Sequence, residues 1–188
     1  LDAGIRMMPS KLKTYGGVTH FLTQRFDRNG NDKIHTQTLA AMSPLSNSYE
    51  EIFAVIRRLN LPYEDSRQQY LRMAFNVIAR NVDDHSKNFS FCMNRDGAWR
   101  LSPAYDLTYS VDLAAPVYSN RHSLTVNGKD EDITREDLET IGLKNDIQDY
   151  KTLINKVANA VTHFEVYAKE LDLDEKLIDS IKADFIKV

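Results

Sequence analysis

Three polar residues in the middle of the chain have the types and the spacing that phosphoryl-transfer chemistry requires. Asn88 follows Asp83 by five residues, and Asp106 lies eighteen residues beyond Asn88. In phosphoryl transfer, one carboxylate accepts the proton of the attacking hydroxyl, while an amide oxygen and a second carboxylate hold Mg²⁺ against the nucleotide phosphates. Protein kinases separate their base and their metal-binding Asn by the same five residues. Because Asp and Asn are also common in loops, the spacing alone is a modest signal.

Two longer strings surround these residues and strengthen the signal. Residues 81–88 spell Asn-Val-Asp-Asp-His-Ser-Lys-Asn, and residues 101–106 spell Leu-Ser-Pro-Ala-Tyr-Asp. Together they closely resemble the C-terminal part of the HipA family of bacterial serine/threonine kinases, the toxins of type II toxin–antitoxin pairs. Upstream, residues 21–28 (Phe-Leu-Thr-Gln-Arg-Phe-Asp-Arg) are similar to the hinge segment of that family. The resemblance runs from the first residues to about position 143.

The resemblance implies a role for each matching residue. Asp83 corresponds to the general base that faces a substrate Ser or Thr hydroxyl, and Asn88 and Asp106 correspond to the Mg²⁺ ligands. Six further positions correspond to residues of the ATP site, namely Gln24, Arg25, Phe26, His85, Lys87 and Tyr105. The implied cofactors are therefore ATP and Mg²⁺. The family favours Glu at position 24. The implied main-chain contact with adenine would survive the change to Gln24, and only a side-chain role is put in doubt.

Simpler interpretations of these segments stay open. The 83–88 loop also fits a helix C-terminal turn that side-chain hydrogen bonds to the backbone stabilise. The hinge segment also fits a strand end followed by a turn, and Lys87 fits either phosphate neutralisation or an ion pair within its loop. Asp84 is a second acid in the string, but it precedes Asn88 by four residues rather than five. We therefore expect Asp83 to be the base.

The bulk composition is that of an ordinary folded protein. The 188 residues, 42% of them hydrophobic and 27% charged, suffice for one domain with a substantial core. A net charge of −3 argues against a strongly basic surface, so no direct nucleic-acid contact is predicted. The single cysteine, Cys92, excludes an internal disulfide and suits a reducing compartment. No apolar run approaches the roughly 18 residues of a membrane span, and we expect a cytoplasmic protein.

Hydrophobic periodicity predicts the elements that position the motifs. Residues 18–25 are predicted to form a strand, residues 36–42 a short helix, and residues 49–59 a second helix. A third helix is expected to begin at Pro62 and to deliver the chain directly to the Asp83 loop. A loop at the end of a buried helix is a rigid mount for catalytic groups.

The remaining predicted elements bring the chain back to the Asp83 loop and complete the fold. Residues 89–93 and 98–101 are predicted to form a β-hairpin that brings Asp106 back towards Asn88. Residues 109–132 are expected to be irregular or weakly β, and long amphipathic helices are expected over 146–171 and 173–186. The predicted class is α+β, predominantly α-helical, resembling a protein-kinase C-lobe with a short β-hairpin at the catalytic site. We expect residues 1–188 to be a single domain.

Two parts of a complete kinase are missing from the sequence. Kinases need a Gly-rich loop over the phosphates and a lysine on a strand of the N-lobe. This sequence has no G-x-G-x-x-G motif, and its first residues, beginning at Leu1, have the pattern of a helix end. We expect the chain to be the C-terminal piece of a longer kinase and, when isolated, to show little or no phosphotransfer.

The resemblance also implies partners and leaves two alternatives open. The implied partners are a cytosolic protein substrate and a small DNA-binding antitoxin similar to HipB. The first alternative is a kinase-like binding module without catalysis, against which the three intact polar residues argue. The second is a small-molecule or lipid kinase, against which the hinge segment and the 101–106 string argue.

Overall fold

The computed structural model describes residues 2–112, 114 and 120–188, which form small sheets and seven α-helices. The elements in chain order are β1 (Ser10–Tyr15), β2 (Val18–Thr23), β3 (Arg28–Asn29), β4 (Asp32–Lys33), β5 (His35–Thr38), α1 (Leu39–Met42), α2 (Tyr49–Arg58), α3 (Tyr63–Ile78), a 3₁₀ turn (Ser86–Asn88), β6 (Ser90–Met93), β7 (Trp99–Leu101), α4 (Arg135–Lys144), α5 (Tyr150–Thr162), α6 (Phe164–Glu170) and α7 (Glu175–Asp184). About 40% of the chain is helical, so the fold is mixed α and β.

Strands β1 and β2 form an antiparallel hairpin at the N-terminal end of the described chain. The register runs from Ser10 opposite Thr23 to Tyr15 opposite Val18. The predicted strand over 18–25 is therefore present, although it ends at Thr23. The turn between the strands is Gly16-Gly17, and both glycines have the positive φ that such a tight turn requires. Every side chain of both strands is exposed, so main-chain pairing holds the hairpin together.

A three-stranded antiparallel sheet, ordered β5-β6-β7, contains the predicted hairpin. Strands β6 and β7 pair as expected around the turn at 94–97. The expected helix over 36–42 is wrong in its first half, because β5 pairs with the free edge of β6 and places Thr38 opposite Ser90. Thr38 then ends the strand and caps α1, since its Oγ1 accepts a hydrogen bond from the main-chain nitrogen of Ala41 at 3.2 Å.

Helices α2 and α3 form as the periodicity predicts, with α3 starting immediately after Pro62. Helix α3 packs against α5, and their buried faces join α2 in a continuous apolar core that includes Ile52, Ile56, Met73, Val77, Ile154 and Val157. Each of these side chains is almost fully buried. Removing such side chains from water is the main stabilising contribution to the fold. Because α3 is held on several sides, the loop that follows it begins from a fixed point.

The long helix expected over 146–171 is wrong, because the structure divides it into α5 and α6 at His163. At the division, Thr162 Oγ1 donates to the Asn159 carbonyl at 2.6 Å, and the His163 main-chain nitrogen donates to the Ala160 carbonyl at 3.2 Å. These bonds to the residue three positions earlier tighten the turn and interrupt the α-helical ladder. The expected helix over 173–186 is present as the shorter α7.

Helix α4 is an element that the periodicity did not identify. It begins with a capping box, in which Thr134 Oγ1 accepts from the Asp137 main-chain nitrogen and Asp137 Oδ2 accepts from that of Thr134. The described residues of 109–132 form only isolated bridges, such as Ser48 with Thr125, as expected. The part of that prediction on residues 113 and 115–119 lies outside the described residues. In the part of the chain that is described, no helix is long and apolar enough to cross a membrane.

Candidate functional site

Helix α3 ends where the first motif begins. Arg80 takes a left-handed conformation (φ +58°) and turns the chain out of the helix. Asn81 and Val82 are buried, which anchors the start of the loop. The two acids that follow point to different environments: the Asp83 side chain is 65% exposed and the Asp84 side chain is fully buried. Asp83 is therefore the acid of this pair that a substrate can reach.

Asp84 is held by four hydrogen bonds beneath the loop. Its Oδ2 accepts from the Tyr49 hydroxyl at 2.6 Å and lies 2.9 Å from His122 Nδ1. Its Oδ1 accepts from the main-chain nitrogens of Ser123 at 2.8 Å and Leu124 at 3.3 Å. A buried carboxylate is tolerated only when its oxygens are satisfied in this way. Asp84 thus ties the loop to α2 and to the 122–124 segment.

The Asn88 side chain is hydrogen-bonded to the backbone of Asp83, at the other end of the first motif. Residues 86–88 form a 3₁₀ turn, and the Asn88 Nδ2 donates to the main-chain carbonyl of Asp83 at 3.0 Å. This bond uses the nitrogen of the amide, so the Asn88 Oδ1 is the atom suited to a cation. His85 Nε2 lies 3.9 Å from Asp83 Oδ1, which puts the imidazole beside the exposed acid. Lys87 is exposed, and within the described residues it forms no ion pair in its loop.

The second motif meets the first at a small cleft behind the loop. Asn88 and Asp106 both line this cleft, so the structure brings together the two residues that the resemblance implies as Mg²⁺ ligands. Asp106 is exposed and has a left-handed backbone (φ +55°), and its carbonyl accepts from Asn81 Nδ2 at 3.1 Å. The segment before it is fixed by the Ala104 nitrogen, which donates to the Arg6 carbonyl at 2.8 Å.

Tyr105 connects the second motif to the hinge segment. Its ring stacks on Phe26 with a centroid distance of 5.4 Å. Its hydroxyl donates to the Lys87 carbonyl at 2.7 Å and lies 2.5 Å from Ser90 Oγ. Burial raises the pKa of Tyr105, so the phenol remains a donor at neutral pH. One side chain thus joins three of the segments that the resemblance implicates in the site.

The hinge residues Gln24 and Arg25 lie outside these contacts. The Gln24 main-chain nitrogen donates to the Pro9 carbonyl at 3.0 Å, and the Gln24 side chain is exposed. Arg25 forms a bidentate ion pair with Asp27, in which Nε donates to Oδ1 at 2.8 Å and Nη2 donates to Oδ2 at 2.6 Å. These bonds lower the pKa of Asp27 to about 2. The Arg25 guanidinium is thereby held by its own segment, and Phe26 is the hinge residue that stacks on the second motif.

A cavity of about 350 Å³ separates the β2 strand from the second motif. Its walls are Met7, Ser10, Phe21, Thr23 and the segment 104–108. Apolar walls with a few polar groups are typical of sites for small ligands. Residues 104–107, which include Asp106, line both this cavity and the small cleft with Asn88, so the two spaces adjoin along this segment.

Several residues of this region were missed by the sequence analysis. Arg72 is almost fully buried and lines the small cleft, and its Nη2 donates to the Ser102 carbonyl. Burial lowers its pKa to about 9. Asn76 and Ser110 were also missed, although both belong to the polar core beneath the motifs. A signal was available for Arg72 and Asn76, since both are polar residues on the apolar stripe of α3.

The donors of the site fit a hard divalent cation better than a transition metal. An amide oxygen and a carboxylate are the ligand types that Mg²⁺ accepts, and Mg²⁺ usually keeps several water or phosphate ligands besides one or two from protein. Asn88 and Asp106 supply one ligand of each type. Within the described residues, no cluster of three His, Cys, Asp or Glu side chains could hold a metal. Asn88 and Asp106 are thus the residues that could hold Mg²⁺, whose other ligands would come from water or phosphate.

Comparisons with known proteins identify the family of the chain and a solved structure of similar fold. The family described as "HipA-like C-terminal domain" matches residues 1–167. HipA of the Shewanella oneidensis MR-1 toxin–antitoxin system, in its complex with HipB and operator DNA, matches with a TM-score of 0.70. The sequence identity is 18%, and the match covers 95% of this chain and 49% of that one. This chain thus spans about half the length of that protein. No curated protein matches the sequence.

Proposed function

The chain belongs to the family of HipA-like C-terminal domains, and from this premise we propose that it is the catalytic-loop half of an ATP- and Mg²⁺-dependent serine/threonine kinase. The proposal identifies the chain with a kinase C-lobe, in which a helical lobe carries the base and the metal ligands. An N-lobe that supplies the Gly-rich loop and the strand lysine would complete the enzyme. The protein substrate and a HipB-like antitoxin are part of the same proposal.

One observation carries this proposal more than any other. Asn88 and Asp106, which are eighteen residues apart in sequence, line one cleft beside the exposed Asp83. A helix C-terminal turn stabilised only by its own hydrogen bonds would not need a second acid from another segment at this position. The 350 Å³ cavity that adjoins Asp106 offers room for the nucleotide next to the metal ligands.

The proposed mechanism assigns one task to each residue. Asn88 Oδ1 and the Asp106 carboxylate would hold Mg²⁺, which would neutralise charge on the phosphates when bound. Asp83 would accept the proton of the substrate hydroxyl, for which position matters more than a shifted pKa. His85 stands beside Asp83, and Lys87 projects into solvent from the same turn. Phe26 and Tyr105 would form one wall of the nucleotide site.

Titration of Mg²⁺-ATP against the chain tests this proposal. We expect calorimetry to give weak binding that requires Mg²⁺ and is lost in Asp106→Ala. Asp96→Ala is the matched control, because Asp96 is an exposed acid in the turn between β6 and β7. Equal binding by all three proteins would contradict the assignment of Asp106.

Phosphotransfer needs a second experiment on the longest natural polypeptide that carries this lobe. We expect transfer of γ-phosphate to a protein Ser or Thr in the wild type, and its loss in Asp83→Asn. Binding without transfer in the wild type would favour a kinase-like binding module. Transfer to sugars or lipids in preference to proteins would favour a kinase of another class.

A further inference from the structure

A chain of buried hydrogen bonds ends at the Asp84 carboxylate. Asp84 Oδ2 accepts from the Tyr49 hydroxyl at 2.6 Å, and Tyr49 Oη accepts from Asn76 Nδ2 at 2.9 Å. Asn76 Oδ1 accepts in turn from Asn81 Nδ2 at 3.1 Å. At most 1% of each of these four residues is exposed. Four polar side chains are therefore linked in the core directly beneath the first motif.

Asn81 extends this chain to both motifs. Its Nδ2 also donates to the main-chain carbonyl of Asp106 at 3.1 Å, and its Oδ1 accepts from Ser110 Oγ at 3.2 Å. Ser110 Oγ accepts from the main-chain nitrogen of Asp83 at 3.0 Å. The carboxamide of Asn81 thus lies two hydrogen bonds from the backbone of the proposed base and one from that of the proposed metal ligand.

The direction of the bonds favours a fixed arrangement. Starting from the Asp83 nitrogen, every donor on the path through Ser110, Asn81, Asn76 and Tyr49 points towards Asp84. A carboxylate is the strongest acceptor available to end such a path, and hydrogen bonds in series strengthen one another inside a protein. Burial and the neighbouring carboxylate raise the pKa of Tyr49 well above its usual value, so the phenol keeps its proton.

We propose that Asn81 and Ser110 are positioning residues, anchored by Asp84, that set the backbone of Asp83 against that of Asp106. We call the path from Ser110 to Asp84 the Asn81 relay. Asp83 and Asp106 come from different segments. Asn81 connects them, because it is bonded to Ser110, which holds the Asp83 backbone, and directly to the Asp106 carbonyl. The consequence for catalysis rests on the proposed kinase function. The consequence for the geometry of the loop does not.

Ser110→Ala is the substitution that tests the relay with least disturbance. Ser110 is half-buried, and the change keeps the Asn81 side chain while it removes the hydroxyl that donates to Asn81 Oδ1. Ser123→Ala is the matched control, since Ser123 Oγ also bonds the loop, at the Val82 carbonyl. That carbonyl keeps its bond from the Ser123 main-chain nitrogen at 3.0 Å, so the control leaves the loop attached. Ser110→Thr restores a hydroxyl and serves as the rescue.

Two measurements decide the outcome. Residue-resolved hydrogen exchange should show the Asp83 amide exchanging about three- to tenfold faster in Ser110→Ala, the effect of one lost hydrogen bond. In the full-length protein, kcat should fall by roughly tenfold while KM for ATP stays within about twofold, as expected for a displaced base. Ser123→Ala should leave both quantities near wild type, and Ser110→Thr should recover them at least in part.

The two measurements separate this inference from the proposed function. Unchanged exchange at Asp83 in Ser110→Ala, or the same acceleration in Ser123→Ala, would overturn the relay whatever the activity. Faster exchange together with unchanged kcat would overturn its positioning role in an active enzyme. If the wild-type full-length protein transfers no phosphate, the proposed function fails, and the exchange of the Asp83 amide still decides whether the relay holds the loop.

Discussion

The ring of Phe26 lies against the ring of Tyr105, with centroids 5.4 Å apart and planes inclined by 26°. Phe26 belongs to the hinge segment and Tyr105 to the second motif, so this stack connects two segments that are far apart in sequence. Tyr105 is in turn bonded to the Lys87 carbonyl of the first motif. The stack therefore links the proposed wall of the nucleotide site to the proposed catalytic loop.

We predict that Phe26→Ala weakens Mg²⁺-ATP binding about three- to tenfold. As a wall of the proposed nucleotide site, the Phe26 ring would give the bound base an aromatic contact worth about 0.5–1.5 kcal/mol, and a tenfold change in Kd corresponds to about 1.4 kcal/mol. Calorimetric titration measures the change. Tyr15→Ala is the control, because Tyr15 is an aromatic residue of the nearby hairpin that is 79% exposed. An equal loss in both variants would mean that the stack has no specific part in binding.

We predict that alanine at Asp84 destabilises the protein strongly, whereas alanine at Asp83 hardly changes its stability. Asp84→Ala removes the acceptor of Tyr49 and of two main-chain nitrogens, and it should lower the free energy of unfolding by about 3–5 kcal/mol. Asp83→Ala changes an exposed side chain and should alter the stability by less than about 0.5 kcal/mol. Urea denaturation of both variants measures the difference.

The activities of the same two variants complete that test. In the full-length protein, Asp83→Ala should abolish phosphotransfer although it folds normally. If Asp83→Ala instead destabilised the protein as much as Asp84→Ala, the exposed acid would have a structural role and would not be the base.

These two acids also mark a limit of what the sequence can predict. Local patterns located α2, α3 and the β6–β7 hairpin, because apolar periodicity and turn residues act over short distances. In the sequence, Asp83 and Asp84 differ only in their distance from Asn88, which is five residues for one and four for the other. Burial separates them, and that burial depends on Tyr49 and His122, which are 35 and 38 residues away. No local pattern records such distant contacts.

The two missed strands have different causes. Strand β1 has the sequence Ser-Lys-Leu-Lys-Thr-Tyr and buries none of its side chains, so it carries no hydrophobic signal of a sheet. Strand β5 was predicted as helix because its pairing partner, β6, lies more than fifty residues away. Pairing with a distant strand overrode the local preference at β5, whereas β1 pairs with its neighbour β2. The relay through Asn81 was missed because its partners Asp106 and Ser110 are also distant in sequence.

Stability at low pH should reveal the network of Asp137. Although burial raises its pKa, hydrogen bonds from Asn127, Lys129 and Thr134 hold the pKa of Asp137 at about 2, below the ordinary value of 3.8. A carboxyl whose pKa is lower in the folded state stabilises the protein above its unfolded pKa. We therefore expect about 2 kcal/mol of stability to be lost as the pH falls from about 4 to about 2.

Asp137→Asn is the control for this pH dependence. It has nearly the same shape and carries no charge, so it should be less stable than the wild type at pH 5. The difference between the two proteins should shrink towards pH 2, where Asp137 becomes protonated. Chemical denaturation at several pH values measures this difference. A difference that stays constant over the range would show that the charge of Asp137 contributes nothing.

We predict that Arg72→Met separates stability from nucleotide binding. Arg72 is 1% exposed, and its only hydrogen bond within the described residues goes to the Ser102 carbonyl. Replacing a buried charge with an apolar side chain of similar length is often neutral or stabilising, so the melting temperature should hold or rise. Because Arg72 lines the cleft of Asn88 and Asp106, the loss of its charge should also change the affinity for charged ligands.

The sign of that change depends on the charge of the ligand. Without Arg72, Mg²⁺ alone should bind more tightly and Mg²⁺-ATP, a net anion, about two- to tenfold more weakly, because like charges repel and opposite charges attract across the cleft. Arg58→Met is the control, since Arg58 is an exposed residue on α2. Calorimetry with each ligand measures the two affinities. A change of the same sign for both ligands would indicate altered packing of the cleft, whereas opposite signs would identify Arg72 as the buried charge that attracts the phosphates.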